Sequence, residues 1–216
     1  MRILATSDTH KPMNIDRKGW FPDADVFVHA GDLMRTGYIT EWYAMLDWLS
    51  RLPYHTKLFV PGNHDFHLQV YPGPALQELR QAGVTVIGLP GNSHYMSYKL
   101  PNGMSLLGLP YVVGLPRWAF NISDKDLSYH LSNVGRHDVI VSHSPVFGYV
   151  DQLPDGTHCG LKQYRKYQEK HTPRVWINGH MHEAYGHVTA NDTRFYNVAM
   201  CNRNYQHVNP PVIIDL

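Results

Sequence analysis

Five short stretches of the chain carry side chains able to bind divalent metal or move protons: Asp8-Thr9-His10, Gly31-Asp32, Gly62-Asn63-His64-Asp65, Ser142-His143 and Gly179-His180-Met181-His182. Neutral imidazole is the commonest protein metal ligand, and carboxylates beside it suit hard and borderline cations. His180 and His182 follow the apolar run Val175-Trp176-Ile177, so both imidazoles fall where a strand meets its loop and neither is needed to fill a core. In Asp8-x-His10 the alternate positions of extended chain face one side, whereas neighbours would point apart. Asn63 offers a neutral carbonyl oxygen to a cation that already has anionic ligands, and His64 beside Asp65 is a candidate acid oriented by a carboxylate. Each piece alone has an ordinary explanation: a turn aspartate, a helix cap, a surface histidine or a Pro-Gly-Asn loop. Their recurrence at one strand end after another is what those explanations leave over.

These side chains need strands to present them. Arg2 to Thr6, Asp25 to Ala30, Leu58 to Val60, Asp138 to Val141 and Val175 to Asn178 read as short buried strands, each ending at one of the five stretches. Open α/β sheets place ligands at such carboxyl ends. Glu41 to Leu52 reads as an amphipathic helix with Trp42, Met45, Leu46 and Leu49 on its buried face. Pro74 to Ala82, Ser123 to Leu131 (capped by Ser123) and Leu161 to Lys170 read as further helices. Val84 to Ile87 is a strand, and Tyr95 to Leu100 with Met104 to Leu109 forms a hairpin around Pro101-Asn102-Gly103. Ala184 to Ala190, Thr193 to Val198 and Val212 to Ile214 close a sheet.

Other polar groups have a weaker claim on the site. His29, inside its strand, reads as a hydrogen-bonded core histidine. Tyr111, Trp118 and Phe120, in the stretch from Pro110 to Asn121, either pack the core or wall a cleft. His67, His94 and Arg117, and in the loop from Val146 to Gly160 the residues Tyr149, Asp151, His158 and Cys159, are groups that could approach it. The loop's own local hydrogen bonds are its default explanation.

Composition limits the partners. The chain has 216 residues, 43% of them hydrophobic, enough for a substantial core in one domain spanning 1–216. A formal charge of +1 supplies no general attraction to nucleic acid or anionic membrane, so an anionic substrate must be met by local chemistry. Fifteen histidines stand beside two cysteines, Cys159 and Cys201, too few and too far apart for a disulfide framework or a thiolate zinc site. The opening Met1 to Thr6 is too short an apolar run for a signal peptide or membrane span, and the expectation is a soluble cytoplasmic protein, monomer or homodimer, with no dedicated nucleic-acid surface.

The ordered series Asp-x-His, Gly-Asp, Gly-Asn-His-Asp, His and Gly-His-x-His, running from Asp8 to His182, resembles the calcineurin-like metallophosphoesterase family. Its surroundings, His29-Ala30-Gly31-Asp32-Leu33, Ser142-His143-Ser144-Pro145 with Gly148 and Asp151 beyond, and Gly179 to Gly186, resemble the small metallophosphoesterase-domain (MPPED-type) branch, close to class III cyclic-nucleotide phosphodiesterases. The resemblance implies a four-layer α/β/β/α sandwich and two divalent or mixed-valence metal ions. Manganese is the first choice, with iron, zinc, nickel, cobalt or magnesium as alternatives. It further implies that Asp8, His10, Asp32 and His182 hold one ion and Asp32, Asn63, His143 and His180 the other, with Asp32 bridging. His64 would contact the phosphate or protonate the leaving oxygen, with Asp65 orienting it. The implied activity is hydrolysis of small phosphodiesters, cyclic nucleotides included, by a water whose proton the two ions make easy to lose. The competing expectations are a phosphomonoesterase or protein phosphatase, a nuclease, a mononuclear metal hydrolase, and a protein-interaction scaffold without turnover.

Overall fold

The computed structural model describes residues 1–16, 19–89 and 96–216. The strand start expected at Tyr95, and His94, lie outside the described residues. The strands are β1 (Arg2–Thr6), β2 (Val26–His29), β3 (Thr56–Phe59), β4 (Val84–Val86), β5 (Ser97–Lys99), β6 (Ser105–Leu109), β7 (Val112–Val113), β8 (Asn121–Ile122), β9 (Val139–Ser142), β10 (Val175–Asn178), β11 (Gly186–Ala190), β12 (Thr193–Asn197) and β13 (Val212–Asp215). The helices are α1 (Ile39–Arg51), α2 (Phe66–Val70), α3 (Pro72–Gln81), α4 (Asp124–Ser132) and α5 (Lys162–His171).

Two sheets organise the chain. One runs β13-β1-β2-β3-β4, parallel from β1 to β4 with β13 antiparallel at its edge. The other runs β11-β12-β10-β9-β6-β5, parallel through its four central strands and antiparallel at both edges. Strand alternation sorts the side chains into layers. Ile3, Ala5, Val26, Val28 and Leu58 face Val139, Val141, Val175 and Ile177 of the second sheet, forming an inter-sheet core. The intervening Leu4, Phe27 and Phe59 face α1 and α3 on the other side. Ile140 and Trp176 face α4 and α5 through Leu127, Leu131, Tyr164 and Tyr167. The result is helices, sheet, sheet, helices, the four layers expected.

Helix α1 docks through Trp42, Met45, Trp48 and Leu49. Leu46 is only half-buried and Trp48 takes the place expected of it, because the buried arc of a surface helix is wider than a strict stripe. Fully buried side chains of this size contribute about 1.5–3 kcal/mol each, so Trp42 and Trp48 are core residues. Helix α2 was not expected after Asp65. Among the described residues no helix is long and apolar enough to cross a membrane.

The parallel arrangement brings the carboxyl ends of β1, β2 and β3 to the same edge as those of β9 and β10. Gly179 lets the sheets meet there: a Cβ on it would overlap Ser7 Oγ and Asp8 Oδ2.

Candidate metal centre

The turns that leave these strands are strained at the residues that carry the chemistry. Asp8 and His10 have φ of 54°, Asp32 of 60° and His180 of 67°. Left-handed backbone at a residue with a Cβ costs roughly 1–3 kcal/mol and persists only where surrounding bonds enforce it. Here they do. Asp8 N–H donates to Gly31 O (2.9 Å), His10 N–H to Asp32 O (3.1 Å), His180 N–H to Asp8 Oδ2 (2.9 Å) and His64 N–H to Asp32 Oδ1 (2.8 Å). Each stretch thus holds the next.

The side chains converge in three overlapping groups whose ligand atoms lie within 4.8 Å of one another: Asp8, His10 and His182; His10, Asp32 and His64; Asp32, His143 and His180. His10 and His182 turn Nε2 toward each other at 3.3 Å, and His182 Nε2 lies 3.4 Å from Asp8 Oδ1. His143 Nε2 is 2.9 Å from Asn63 Oδ1 and 3.4 Å from Asp32 Oδ1. On the far side of three rings, Nδ1 meets a backbone carbonyl: His10 that of Met34 (2.9 Å), His143 that of Ala30 (3.0 Å) and His182 that of Asn202 (3.0 Å). A carbonyl only accepts, so Nδ1 carries the proton and the Nε2 lone pair faces inward. Facing lone pairs need a cation or a proton between them. Asp8 Oδ1, buried and without a hydrogen-bond partner among the described residues, has the same need. Carboxylate, amide and imidazole donors without thiolate fit a divalent ion of the manganese, iron or zinc type.

Charge in the cluster is strongly coupled. Burial alone would raise the Asp32 and Asp8 carboxyls, but His143 beside Asp32, and His182 and His143 beside Asp8, hold both well below the usual carboxylate range. Burial works against a charged His143, yet Asp32 and Asp8 outweigh it and bring the imidazole up to about 9. His180, desolvated and facing His143, is pushed down to about 4.

Asp65 does something other than orient His64. Its carboxylate accepts four backbone N–H bonds, from Gly62 (2.7 Å), Asp32 (2.9 Å), Leu33 (2.9 Å) and Met34 (3.3 Å), tying the turn after β3 to the turn after β2. Burial and the nearby Asp32 push its carboxyl up against the pull of those amides. His64 is oriented instead by the Arg35 carbonyl, 2.5 Å from Nδ1, and by the Trp118 ring, 4.4 Å between centroids. Its Nε2 is 3.8 Å from Asp32 Oδ2.

Above the cluster lies a cleft of about 410 Å³ lined by Asp32, Asn63, His64, His180 and His182 and walled by Leu115, Trp118, Glu183, Arg203 and Tyr205. Tyr205 stands edge-on to His10 at 4.7 Å, and Arg203 pairs with Glu183. Trp118 thus lines the cleft while Tyr111 and Phe120 are buried. Tyr205, Arg203 and Asn202 carried no signal in the sequence, since their turn follows no motif. Several of the weaker candidates have their partners elsewhere. His67 packs on Trp42 and Glu78; His29 is a core histidine, bonded to Thr9 Oγ1 at 3.0 Å; Tyr149 stacks on Phe195. Asp151 binds the amides of Gly148 and Gly160 and the ring of His158 within its own loop.

The two-sheet sandwich of α/β/β/α architecture thus gathers histidines and aspartates, donors suited to a divalent metal, at its strand ends. Residues 1–184 match the family model for calcineurin-like phosphoesterases, and the chain belongs to that family. It is 29% identical to human metallophosphoesterase domain-containing protein 1, with 100% of this chain and 71% of that protein covered. It is 27% identical to a UPF0046 protein of Caenorhabditis elegans, covering 100% and 81% respectively. Among solved structures, TT1561 of Thermus thermophilus superposes with a TM-score of 0.58 at 15% identity, covering 91% of this chain and 88% of that one, a likeness of fold.

Proposed function

We propose that the chain is a phosphodiesterase for small substrates, cyclic nucleotides among them. It would work with two divalent ions, manganese first, one held by Asp8, His10, Asp32 and His182 and the other by Asp32, Asn63, His143 and His180. The observation that carries this reading is the overlap of the ligand groups, in which Asp32 stands between His10 and His64 on one side and His143 and His180 on the other. Two such ions, when bound, neutralise phosphoryl oxygens and make the proton of an attacking water easy to lose.

The chain's own residues do the rest. Asp32, its Oδ1 held by the His64 amide, keeps both ligand groups in register. His10, His143 and His182 present Nε2 inward because carbonyls hold the opposite nitrogen. His64, its Nδ1–H held by Arg35 O, has Nε2 left to contact the phosphate or, once the ring has taken up a second proton, to pass that proton to the leaving oxygen. Trp118 covers the His64 ring and shields it from water. An almost neutral protein can handle an anionic ester this way because the positive charge is local. The cyclic-nucleotide assignment is supported by the resemblance of the stretches around Asp32, His143 and His182 to the MPPED-type branch, which is close to the class III cyclic-nucleotide phosphodiesterases. The free thiols, Cys159 exposed and Cys201 buried, suit a reducing cytoplasm.

The test is turnover of bis-p-nitrophenyl phosphate against p-nitrophenyl phosphate by chelator-stripped protein with Mn²⁺ restored. The diester is expected to be cleaved with kcat/KM about tenfold or more above the monoester. A monoester preference would make the chain a phosphomonoesterase.

A further inference from the structure

Beside the metal cleft lies a second hollow, about 440 Å³, lined by Arg35, Thr36, Phe66, Arg117 and Trp118. Trp118 is common to both and separates them, with the His64 ring 4.4 Å away on one side and the Phe66 ring 5.8 Å away on the other. The two hollows are one aromatic ring apart.

The second hollow is cationic in a chain that is otherwise nearly neutral. Among the described residues no side-chain carboxylate pairs with Arg35 or Arg117, and this hollow has two such arginines in its lining. Glu41, the next acid after Arg35 along the chain, is already engaged. It accepts from the Thr36 hydroxyl (2.7 Å) and from the amides of Thr36 (2.8 Å), Gly37 (3.1 Å) and Arg35 (3.2 Å), which hold it ionised. Arg35 is also held in place. Its carbonyl receives His64 Nδ1, and its guanidinium lies 4.5 Å over the ring of Tyr205, which lines the metal cleft. A guanidinium held over an aromatic ring by a cation–π contact still has N–H donors to offer, and arginine can take a phosphate by two bonds.

We propose that this hollow is a second anion subsite, which seats a phosphate other than the one attacked. The substrates that fill the whole surface are then nucleotide diesters bearing an additional terminal phosphate, with the scissile phosphate in the metal cleft and the terminal phosphate between Arg35 and Arg117. This deepens the phosphodiesterase reading of the same cleft and rests on it.

The experiment compares the dinucleotide ApA with its 5′-phosphorylated form pApA as substrates of the manganese-loaded protein. The terminal phosphate is expected to lower KM about tenfold with little change in kcat, an advantage that shrinks with added salt. Arg117→Gln, a change at an exposed side chain, is expected to remove most of that advantage, and Arg35→Gln to do the same. Equal KM values, or an advantage that survives both substitutions, would overturn the subsite. Failure to cleave either dinucleotide or bis-p-nitrophenyl phosphate would count against the phosphodiesterase reading alone. The subsite is then read by calorimetry, adenosine 3′,5′-bisphosphate against AMP. About tenfold tighter binding of the bisphosphate that Arg117→Gln abolishes would uphold it, and equal affinities would overturn it.

Discussion

His64 is fixed at Nδ1 by the Arg35 carbonyl and across one face by Trp118, so Nε2 is the atom left to act. As the proton donor it is expected to cost about a hundredfold or more in kcat when replaced by Ala, with the number of bound ions unchanged. Loss of an ion in His64→Ala, read by elemental analysis, would instead make it a ligand alongside His10 and Asp32. His29 makes a prediction about pH. Burial holds its imidazole down to about 3, against about 6.5 in an unfolded chain, so the fold favours the neutral ring. The stability this contributes is present above pH 6.5 and is lost as pH falls from there toward 3, on the order of 2 kcal/mol by pH 5. Urea midpoints at pH 7 and pH 5 should therefore draw together in His29→Gln relative to the parent chain; an unchanged pH dependence would show that His29 is charged in the fold. The metal-type residues were legible because each is polar at the end of an apolar run. Asp65 misled because adjacency to His64 suggested a pair, while the turn sends its carboxylate back onto four amides.

Those four amides make Asp65 the fastener between the turns after β2 and β3. Asp65→Ala would leave buried N–H donors unsatisfied, at about 1–3 kcal/mol for the group or more, and would loosen Asp32 and Asn63 together. The expected outcome is a lower unfolding midpoint and weaker metal binding; a variant with normal stability and only kcat reduced would restore Asp65 as a partner of His64. The strands of the site were legible from their apolar runs and β-branched residues, and so were the helices with a clean polar face. Helix α2 was not. At five residues, Phe66–Val70 is too short to show a period. The assignment of Leu46 rather than Trp48 to the core of α1 has a similar origin, since a 13-residue helix can roll about its axis without changing its pattern.

At the scale of the molecule, the centre exists only because two sheets bring their carboxyl ends to one edge. His10 and His182, 172 residues apart in sequence, meet at 3.3 Å. The family resemblance implied the four layers and the alternation of strands and helices agreed with it, but neither told which loops would close over the candidate metal centre. The turn holding Asn202, Arg203 and Tyr205 lies beyond residue 184, where the family match ends, and nothing in its composition shows that Asn202 O would orient His182 or that Tyr205 would cover His10. If the strained turns bind Mn²⁺ as proposed, the fold gains stability from it by mass action, about 2.7 kcal/mol at a hundredfold excess over Kd, seen as a rise in melting temperature when Mn²⁺ is restored to stripped protein. The most direct measurement is a titration of stripped protein with Mn²⁺ that follows bound ion and diester hydrolysis together. Two ions per chain are predicted, with turnover tracking occupancy of the second and absent from Asp32→Asn. Full turnover with one ion per chain, or with none, would contradict a centre built around Asp32.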